Sequence, residues 1–136
     1  MYIQRRQTLK KPKIISVSNQ KGGVGKTTTT INLATAMVSF NKKILIVDLD
    51  PQGNASTGLG IDLKERDKNI YKVMTSQTEV NDCVFDTIIP DLKIIPSTID
   101  LSAVEIEFSS IQKRELVLKK SFENLTLDFD YVLIDC

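Results

Sequence analysis

The stretch Lys21-Gly22-Gly23-Val24-Gly25-Lys26-Thr27-Thr28 decides the fold of this chain. It lies between the apolar run Ile14–Val17, which predicts a strand, and the pattern Thr28–Phe40, which predicts a helix. A glycine-rich loop between a strand and a helix is the context that a phosphate-binding loop requires. The glycines allow backbone angles closed to other residues, so successive N–H groups can turn toward phosphate oxygens. We therefore predict that the whole stretch contacts the phosphates of a nucleoside triphosphate.

Two side chains of this loop are suited to phosphate and metal binding. Lys26 places a positive charge where the β- and γ-phosphates would lie, and the Thr27 hydroxyl is placed to ligate magnesium. The following helix adds its free N–H groups and the positive end of its dipole. Gln20 stands where the standard motif has its first glycine, and an additional lysine, Lys21, follows it. The simplest alternative is a glycine-rich turn capped by threonines, with Lys21 exposed.

Acidic residues follow two other apolar runs. Asp48 and Asp50 come after the run Ile44–Val47, and Asp135 follows the run Tyr131–Ile134. Side chains at i and i+2 on a strand point the same way, so one of the first two acids can help to organise magnesium and its waters while the other faces the γ-phosphate. The alternative for that pair is a solvated strand end before a proline turn. Asp135 resembles the aspartate of a Walker B strand, which supports magnesium, usually through water.

The alternation of apolar runs with helical patterns predicts an α/β fold with a mostly parallel sheet and helices on both faces. The run Ile44–Val47 does not alternate with polar residues, as expected for a strand buried on both faces. The predicted strands are Ile14–Val17, Ile44–Val47, Leu92–Ile95 and Tyr131–Ile134.

Three helices are predicted between these strands. The first, Thr28–Phe40, has a wide apolar face formed by two stripes and should end in a left-handed residue at Asn41. The second should begin at a capping box made by Ser102 and Glu105 and run to about Phe108. The third presents an inner face of Leu118, Phe122 and Leu125. The glycine-rich segment Gln52–Asn69 is predicted to be a mobile surface segment at the site, because it follows a strand end.

Length and composition indicate one soluble globular domain. The 136 residues carry a net charge of +1, and we divide them into a basic arm, residues 1–12, and one domain, residues 13–136. Cys83 and Cys136 lie far apart and the chain has no histidine, which argues against a disulfide framework, a zinc site and a histidine base. No apolar run approaches the ~18 residues of a membrane span, and the start lacks the apolar core of a signal peptide. We therefore expect a cytoplasmic protein.

The basic arm has two interpretations. Residues 1–13 contain no acid and five cations, namely Arg5, Arg6, Lys10, Lys11 and Lys13. Such a segment could contact nucleic acid or an anionic membrane. We favour a solvated, frayed terminus, which is the commoner case.

Together these segments resemble the ParA-type partition ATPases, the Soj/ParA branch of the ParA–MinD superfamily. The most specific segments are Asn19–Thr28, which matches the deviant Walker A motif of that superfamily, and Asp48–Gly60. Further similarity lies in Ile95–Leu101 and Asp130–Cys136, so the resemblance runs from about residue 13 to the last residue. The MinD branch usually differs after its second acidic pair, which favours the partition branch.

The resemblance implies a P-loop NTPase fold that binds ATP with Mg²⁺. Lys21 would be the signature lysine that reaches across a nucleotide-sandwich dimer to the partner's phosphates, where a cation offsets charge on the transferred group. Asp50 would orient the attacking water. The remaining implied roles are the loop lysine for Lys26, the magnesium ligand for Thr27, support of the magnesium shell for Asp48 and the Walker B acid for Asp135.

The resemblance also implies a cellular role. Members of the family hydrolyse ATP slowly, dimerise on binding ATP, bind DNA nonspecifically in that state and are stimulated by a centromere-binding ParB-type partner. The expected protein is thus a nucleotide-dependent dimerisation switch in chromosome or plasmid segregation, located in the cytoplasm at the nucleoid and without a membrane association.

The length of the chain suggests that the family domain is incomplete here. Members of the family are much longer, and the Pro-Pro-Ser turn that follows their Walker B strand is absent. We expect the fold to be incomplete at the C-terminus, with Ile14–Val17 as an apolar sheet edge, and this chain alone to be inactive. The chain is therefore expected to be either a fragment of a longer protein or a degraded reading frame. One alternative function is that of a truncated, non-catalytic remnant. The other is a MinD-like membrane-associated positioning ATPase, which would need a C-terminal amphipathic helix.

Overall fold

The structure is a computed structural model that describes residues 11–17, 25–107 and 111–136. Most of the predicted basic arm therefore lies outside the described residues. The strands of the structure are β1 Lys13–Val17, β2 Ile44–Asp48, β3 Phe85–Asp86, β4 Leu92–Ile95 and β5 Tyr131–Asp135. Its α-helices are α1 Lys26–Ser39, α2 Asn54–Gly58, α3 Ile70–Met74, α4 Leu101–Glu107 and α5 Ile111–Glu123, and 3₁₀ turns lie at Leu63–Glu65 and Val80–Cys83.

The strands form one sheet in the order β1-β5-β2-β4-β3. The first four are parallel, and the short β3 pairs antiparallel with β4. In this register Asp135 on β5 lies beside Val17 on one side and Asp48 on the other. The carboxyl ends of the three strands therefore meet at one edge of the sheet, which is where ligands bind in open parallel sheets. The predicted α/β class with a mostly parallel sheet is confirmed.

Helices cover both faces of the sheet, as predicted. Alternate residues of β2 point to opposite faces, and all of them are buried. Ile44 and Ile46 pack with Ala34 of α1, while Leu45 and Val47 pack in a second cluster that includes residues of α3, α4 and α5. Burial on both faces explains why this strand is apolar without alternation.

The local predictions were mostly accurate. β4 has the predicted bounds, the other three predicted strands differ by one residue at one end, and the two-residue β3 was not predicted. Asn41 has a φ of 62° and donates its N–H to the carbonyl of Val38 at 2.9 Å, which confirms a left-handed residue after α1. Leu118 is buried and Phe122 packs against the same core, which confirms the inner face of α5 for these two residues. Leu125 packs against this core as well, but it lies beyond the end of the helix at Glu123.

Three predictions were wrong. The apolar face of α1 is narrower than expected, because the helix packs on β2 and β5 and leaves Leu33 and Phe40 exposed. α4 begins at Leu101, so Ser102 lies inside the helix and is not its N-cap. Its first turn is closed instead by backbone bonds, including one from the Leu101 N–H to the Thr98 carbonyl at 3.1 Å.

The third error concerns the segment Gln52–Asn69, which the sequence predicted to be a mobile surface segment. It contains α2 and a 3₁₀ turn, and Ala55, Ser56, Leu59 and Arg66 are buried within it. Its glycines allow the tight turns between these pieces, and Gly53 and Gly60 both have positive φ. The segment is thus packed against the end of the sheet.

β1 lies at an end of the described sheet and is poorly covered. Ile14 and Ile15 point to opposite faces and are 49% and 37% exposed. This confirms the predicted apolar edge. Both cysteines are free, with Cys83 buried and Cys136 exposed. Among the described residues, no helix is long and apolar enough to cross a bilayer.

Candidate functional site

The second half of the predicted phosphate loop, Gly25–Thr28, is described, whereas Lys21, Gly22, Gly23 and Val24 lie outside the described residues. Gly25 has a φ of 106°, which L side chains rarely adopt, and no described atom lies within 4 Å of the position that a Cβ would take. None of the described side chains caps α1 at this end. The first N–H groups of a helix have no acceptor inside the helix, so this open end is suited to an anion.

Asp135, at the end of β5, is held by the first turn of α1. Its Oδ2 accepts a hydrogen bond from the Thr27 hydroxyl at 3.0 Å. The Thr30 hydroxyl lies 3.2 Å from its Oδ1 and shares its one proton between this oxygen and the Lys26 carbonyl at 3.0 Å. Lys26 Nζ lies 3.8 Å from Oδ1, and this ammonium side chain is 11% exposed while the carboxylate is fully buried. Two hydroxyl donors and a cation therefore offset the cost of burying this charge.

This arrangement fits magnesium and a triphosphate. Because the Thr27 hydroxyl donates a hydrogen bond to Asp135, the lone pairs of its oxygen remain available to a cation. Among the described residues, Asp, Glu and Cys do not form a group of three or more that could hold a metal ion. Magnesium typically binds through one or two protein ligands and takes its other ligands from phosphate oxygens and water. Lys26 lies beside the same carboxylate and can move from it to a phosphate.

Asp48 is fully buried at the end of β2, and its carboxylate is bound within the protein. Oδ1 accepts a hydrogen bond from the Asp50 N–H at 3.1 Å. Oδ2 accepts bonds from the Ser56 N–H at 3.0 Å and from the Ser56 hydroxyl at 2.7 Å. Burial raises the pKa of Asp48, the hydrogen bonds from Ser56 and Asp50 oppose that change, and the charge of Asp135 adds to it. The carboxylate therefore ties β2 to α2.

Asp50 has different surroundings from Asp48. β2 ends at Asp48, so the strand rule that places i and i+2 on one side does not extend to Asp50. The half-buried Asp50 lies in a turn, where its Oδ1 accepts from the Gln52 N–H at 3.0 Å and its Oδ2 accepts from the Asn54 side-chain amide at 3.0 Å. The Gly53 N–H donates to the Asp50 carbonyl at 2.8 Å. The turn thus presents a carboxylate at the same edge of the sheet.

The sequence reasoning missed two residues at this site. Thr30 is buried inside α1 and binds Asp135, and Ser56 on α2 binds Asp48. Thr30 had a signal in the sequence, since it lies one helical turn after Thr27 and thus on the same side of the helix. Ser56 had none, because its contact depends on how α2 packs.

A cavity of about 280 Å³ lies elsewhere, between α3 and α5. Its lining includes Val73, Met74, Val117 and Lys120, and none of the predicted site residues. The strand ends and the described part of the loop are therefore the candidate site on chemical grounds.

The chain is similar to a known protein family and to several known proteins. A family model described as "AAA domain" matches residues 12–136. The sporulation initiation inhibitor protein Soj of Bacillus subtilis is 43% identical over 124 residues, which are 91% of this chain and 49% of Soj. The chromosome partitioning protein ParA of Caulobacter vibrioides is 44% identical over 126 residues, which are 91% of this chain and 47% of ParA. The chain thus spans about half the length of the curated relatives it matches.

Solved structures share the fold. A cobyrinic acid a,c-diamide synthase from Mycobacterium smegmatis, with bound ATP analogue and magnesium, has a TM-score of 0.83 and 34% identity, covering 92% of this chain and 51% of its own. A plasmid partition protein from Borrelia burgdorferi has a TM-score of 0.73 and 31% identity, covering 93% and 56%. These matches confirm the P-loop NTPase fold. The chain belongs to the AAA domain family and, within it, to the ParA/Soj-type proteins of the deviant Walker A superfamily.

Proposed function

We propose that this chain is the nucleotide-binding part of an ATPase that binds MgATP, hydrolyses it slowly and dimerises when ATP is bound. The observation that carries the proposal is the hydrogen bond from the Thr27 hydroxyl to the buried Asp135, with Lys26 beside the same carboxylate. The ATP analogue and magnesium bound by the Mycobacterium smegmatis protein support the choice of nucleotide and metal.

Lys26 and the open end of α1 are proposed to hold the β- and γ-phosphates, together with residues 21–25 and Thr28. Thr27 would ligate magnesium directly, with Asp135 fixing the direction of its hydroxyl proton. Asp48 already accepts three hydrogen bonds, and a carboxylate offers about four lone-pair sites, so one site is left for a water of the magnesium shell. Held by Thr27, the magnesium ion would supply positive charge to offset the negative charge of the phosphates.

Hydrolysis is assigned to Asp50 and Lys21. The Asp50 carboxylate would orient the attacking water, and the turn that holds it limits the positions it can take. Lys21, which lies outside the described residues, would act on the nucleotide of the partner in a dimer. Since that charge is supplied only by a second copy, dimerisation and hydrolysis would be coupled.

The proposed cellular role is segregation of chromosomal or plasmid DNA in the cytoplasm, at the nucleoid. It is supported by the names of the relatives, which include chromosome partitioning and plasmid partition proteins. The proposed partners are a second copy of the protein, DNA bound without sequence preference and a ParB-type protein.

Titration with a fluorescent ATP analogue tests the nucleotide site. Replacing Lys26 by Ala should weaken binding about 10- to 100-fold, the cost of losing one charge-assisted contact, and EDTA should weaken binding of the wild type. Lys64→Ala is the matched control, because Lys64 is an exposed lysine on a 3₁₀ turn outside the phosphate loop. Equal affinity of folded wild type and Lys26→Ala would contradict the assignment.

A further inference from the structure

Arg66 is a buried arginine to which the proposed nucleotide site assigns no role. It follows the 3₁₀ turn Leu63–Glu65 and is only 3% exposed. Its Nε and Nη2 donate hydrogen bonds to the carbonyl of Ile61. Nη2 also donates to the Thr57 hydroxyl at 3.0 Å, and Nη1 donates to the Ser97 carbonyl at 3.3 Å. One guanidinium therefore connects the end of α2, the following loop and the residues after β4.

This buried cation has no anionic partner among the described residues, since no Asp or Glu oxygen there forms an ion pair with it. Arginine is rarely buried without such a partner, because the charge loses its hydration. Its hydrogen-bond acceptors are neutral and lie in three separate segments of the chain. A planar fork of five N–H groups can reach all of them, whereas a single ammonium group cannot.

The guanidinium lies directly against the turn that carries Asp50. Gly53 has a φ of 65°, and a Cβ added there would lie 2.5 Å from Arg66 Nη1 and 3.2 Å from the Ser97 carbonyl oxygen. The Gly53 N–H donates to the Asp50 carbonyl at 2.8 Å, and the Gly53 carbonyl accepts from the Thr57 N–H at 2.9 Å. Arg66 therefore packs against the backbone that closes this turn.

A second set of bonds leads from Ser97 to the acids at the end of β2. The Ser97 N–H donates to the Ser56 hydroxyl at 3.1 Å, and that hydroxyl donates to Asp48 at 2.7 Å. Asp48 in turn accepts the N–H of Asp50. The Ser97 backbone is thus fixed by Arg66 through its carbonyl and by Ser56 through its N–H. Displacing Arg66 would therefore remove both its contact with Gly53 and its hydrogen bond to Ser97, and each loss would loosen the turn.

We infer that Arg66 is a positioning residue for hydrolysis, because its guanidinium holds the Asp50–Gly53 turn against the end of β4 and so sets where the Asp50 carboxylate lies. The inference rests on the proposed role of Asp50. It assigns no contact between Arg66 and the nucleotide, so the residue should affect turnover far more than binding.

The test compares Arg66→Met with Lys64→Met, which removes an exposed cation from the same segment, in the protein at its natural length. Arg66→Met should lower kcat about 10- to 100-fold, the scale of a small misplacement of a reacting group, and leave the Kd for the ATP analogue within about threefold of wild type. Hydrogen exchange at the amides of Gly53 and Ser56 should become faster. Arg66→Lys should restore only part of kcat, and Lys64→Met should match wild type.

Two further tests extend this comparison, and the first of them keeps Arg66 and so remains decisive if Arg66→Met does not fold. Thr57→Val removes one acceptor and should speed exchange at Gly53 with a smaller loss of kcat. Gly53→Ala should be more harmful in wild type than in an Arg66→Ala background, where the guanidinium that the new methyl group would meet is gone; additive effects would argue against the contact.

The inference is overturned if Arg66→Met has wild-type kcat and unchanged exchange while Asp50→Ala has lost turnover. Wild-type turnover by Asp50→Ala would instead contradict the proposed function. In that case the exchange measurement alone decides whether Arg66 holds the turn, and unchanged exchange refutes it.

Discussion

The Thr27 hydroxyl donates a hydrogen bond to Asp135 Oδ2 at 3.0 Å, although the two residues lie 108 positions apart in the chain. Thr30 binds the other oxygen of the same carboxylate at 3.2 Å. The first turn of α1 and the end of β5 therefore act as one unit. The direction of the proposed metal-binding hydroxyl is set by the opposite end of the chain.

Substitutions of the two threonines should separate metal binding from stability. Thr27→Val removes the proposed magnesium ligand and should raise the magnesium concentration needed for nucleotide binding, whereas Thr27→Ser keeps the hydroxyl and should not. Thr30→Val removes one donor from the buried Asp135 and should lower the free energy of unfolding by about 1–3 kcal/mol. Magnesium titrations and urea unfolding measure the two effects, and equal magnesium requirements for Thr27→Val and wild type would contradict the role of Thr27.

Asp48 should make stability depend on pH in an unusual direction. Its pKa in the folded state is raised, chiefly by burial, whereas an unfolded aspartate titrates near ~3.9. Between these two values the folded state holds a proton that the unfolded state has lost, so the free energy of unfolding falls as pH rises. The contribution is complete below the unfolded pKa and is lost as pH rises through the folded pKa.

Urea unfolding of wild type and Asp48→Asn from about pH 4 to 8 measures this contribution, because the variant lacks the titrating carboxyl group. Asp48→Asn should lack the falling slope. Asp62→Asn, which changes an exposed aspartate on the loop after α2, should keep the falling slope. A wild type whose stability rises across this range relative to Asp48→Asn would contradict the raised pKa.

If Asp50 and Lys21 act in hydrolysis, substitutions in the full-length protein should separate ATP binding from turnover. Asp50→Ala should keep ATP binding and ATP-dependent dimerisation while turnover falls about 10²- to 10⁴-fold, the usual effect of losing a positioned transition-state group. Lys21→Ala should also lower turnover and affect binding by the monomer less. Phosphate release and sedimentation with ATP are the measurements. Normal turnover by Asp50→Ala, or robust turnover by the 136-residue chain alone, would disagree with this mechanism.

The exposed edge strand β1 should make the 136-residue chain self-associate. An unpaired edge offers N–H and C=O groups to a second chain, and Ile14 and Ile15 add apolar surface. Ile14→Lys or Ile15→Lys should reduce association, because charge on an edge strand opposes pairing. Phe40→Lys is the control, since it removes a more exposed apolar side chain from a helix end. Light scattering against concentration would reveal the difference, and an equal effect of all three variants would argue against edge pairing.

Most predictions that depend on near neighbours in the sequence succeeded, although the capping box at Ser102 did not. The strands β2, β4 and β5 follow from apolar runs, and Asn41 follows from its place after a helical pattern. The width of the buried face of α1 was predicted less well, because the spacing of apolar residues alone does not say how much of a helix the sheet covers. Leu33 and Phe40 are apolar and sit at helical spacing, yet both are exposed.

The sequence by itself determined that a glycine-rich stretch lies before a helix and that acids lie at the ends of two parallel strands, since both depend on local spacing and on the direction in which parallel strands run. Only the tertiary structure decided which partners these acids take. Asp135 binds Thr27 and Thr30, Asp48 binds Ser56, and Arg66 packs under Gly53. The physical reason is that a buried charge must find donors or acceptors wherever the packed chain brings them, and local spacing does not encode those positions.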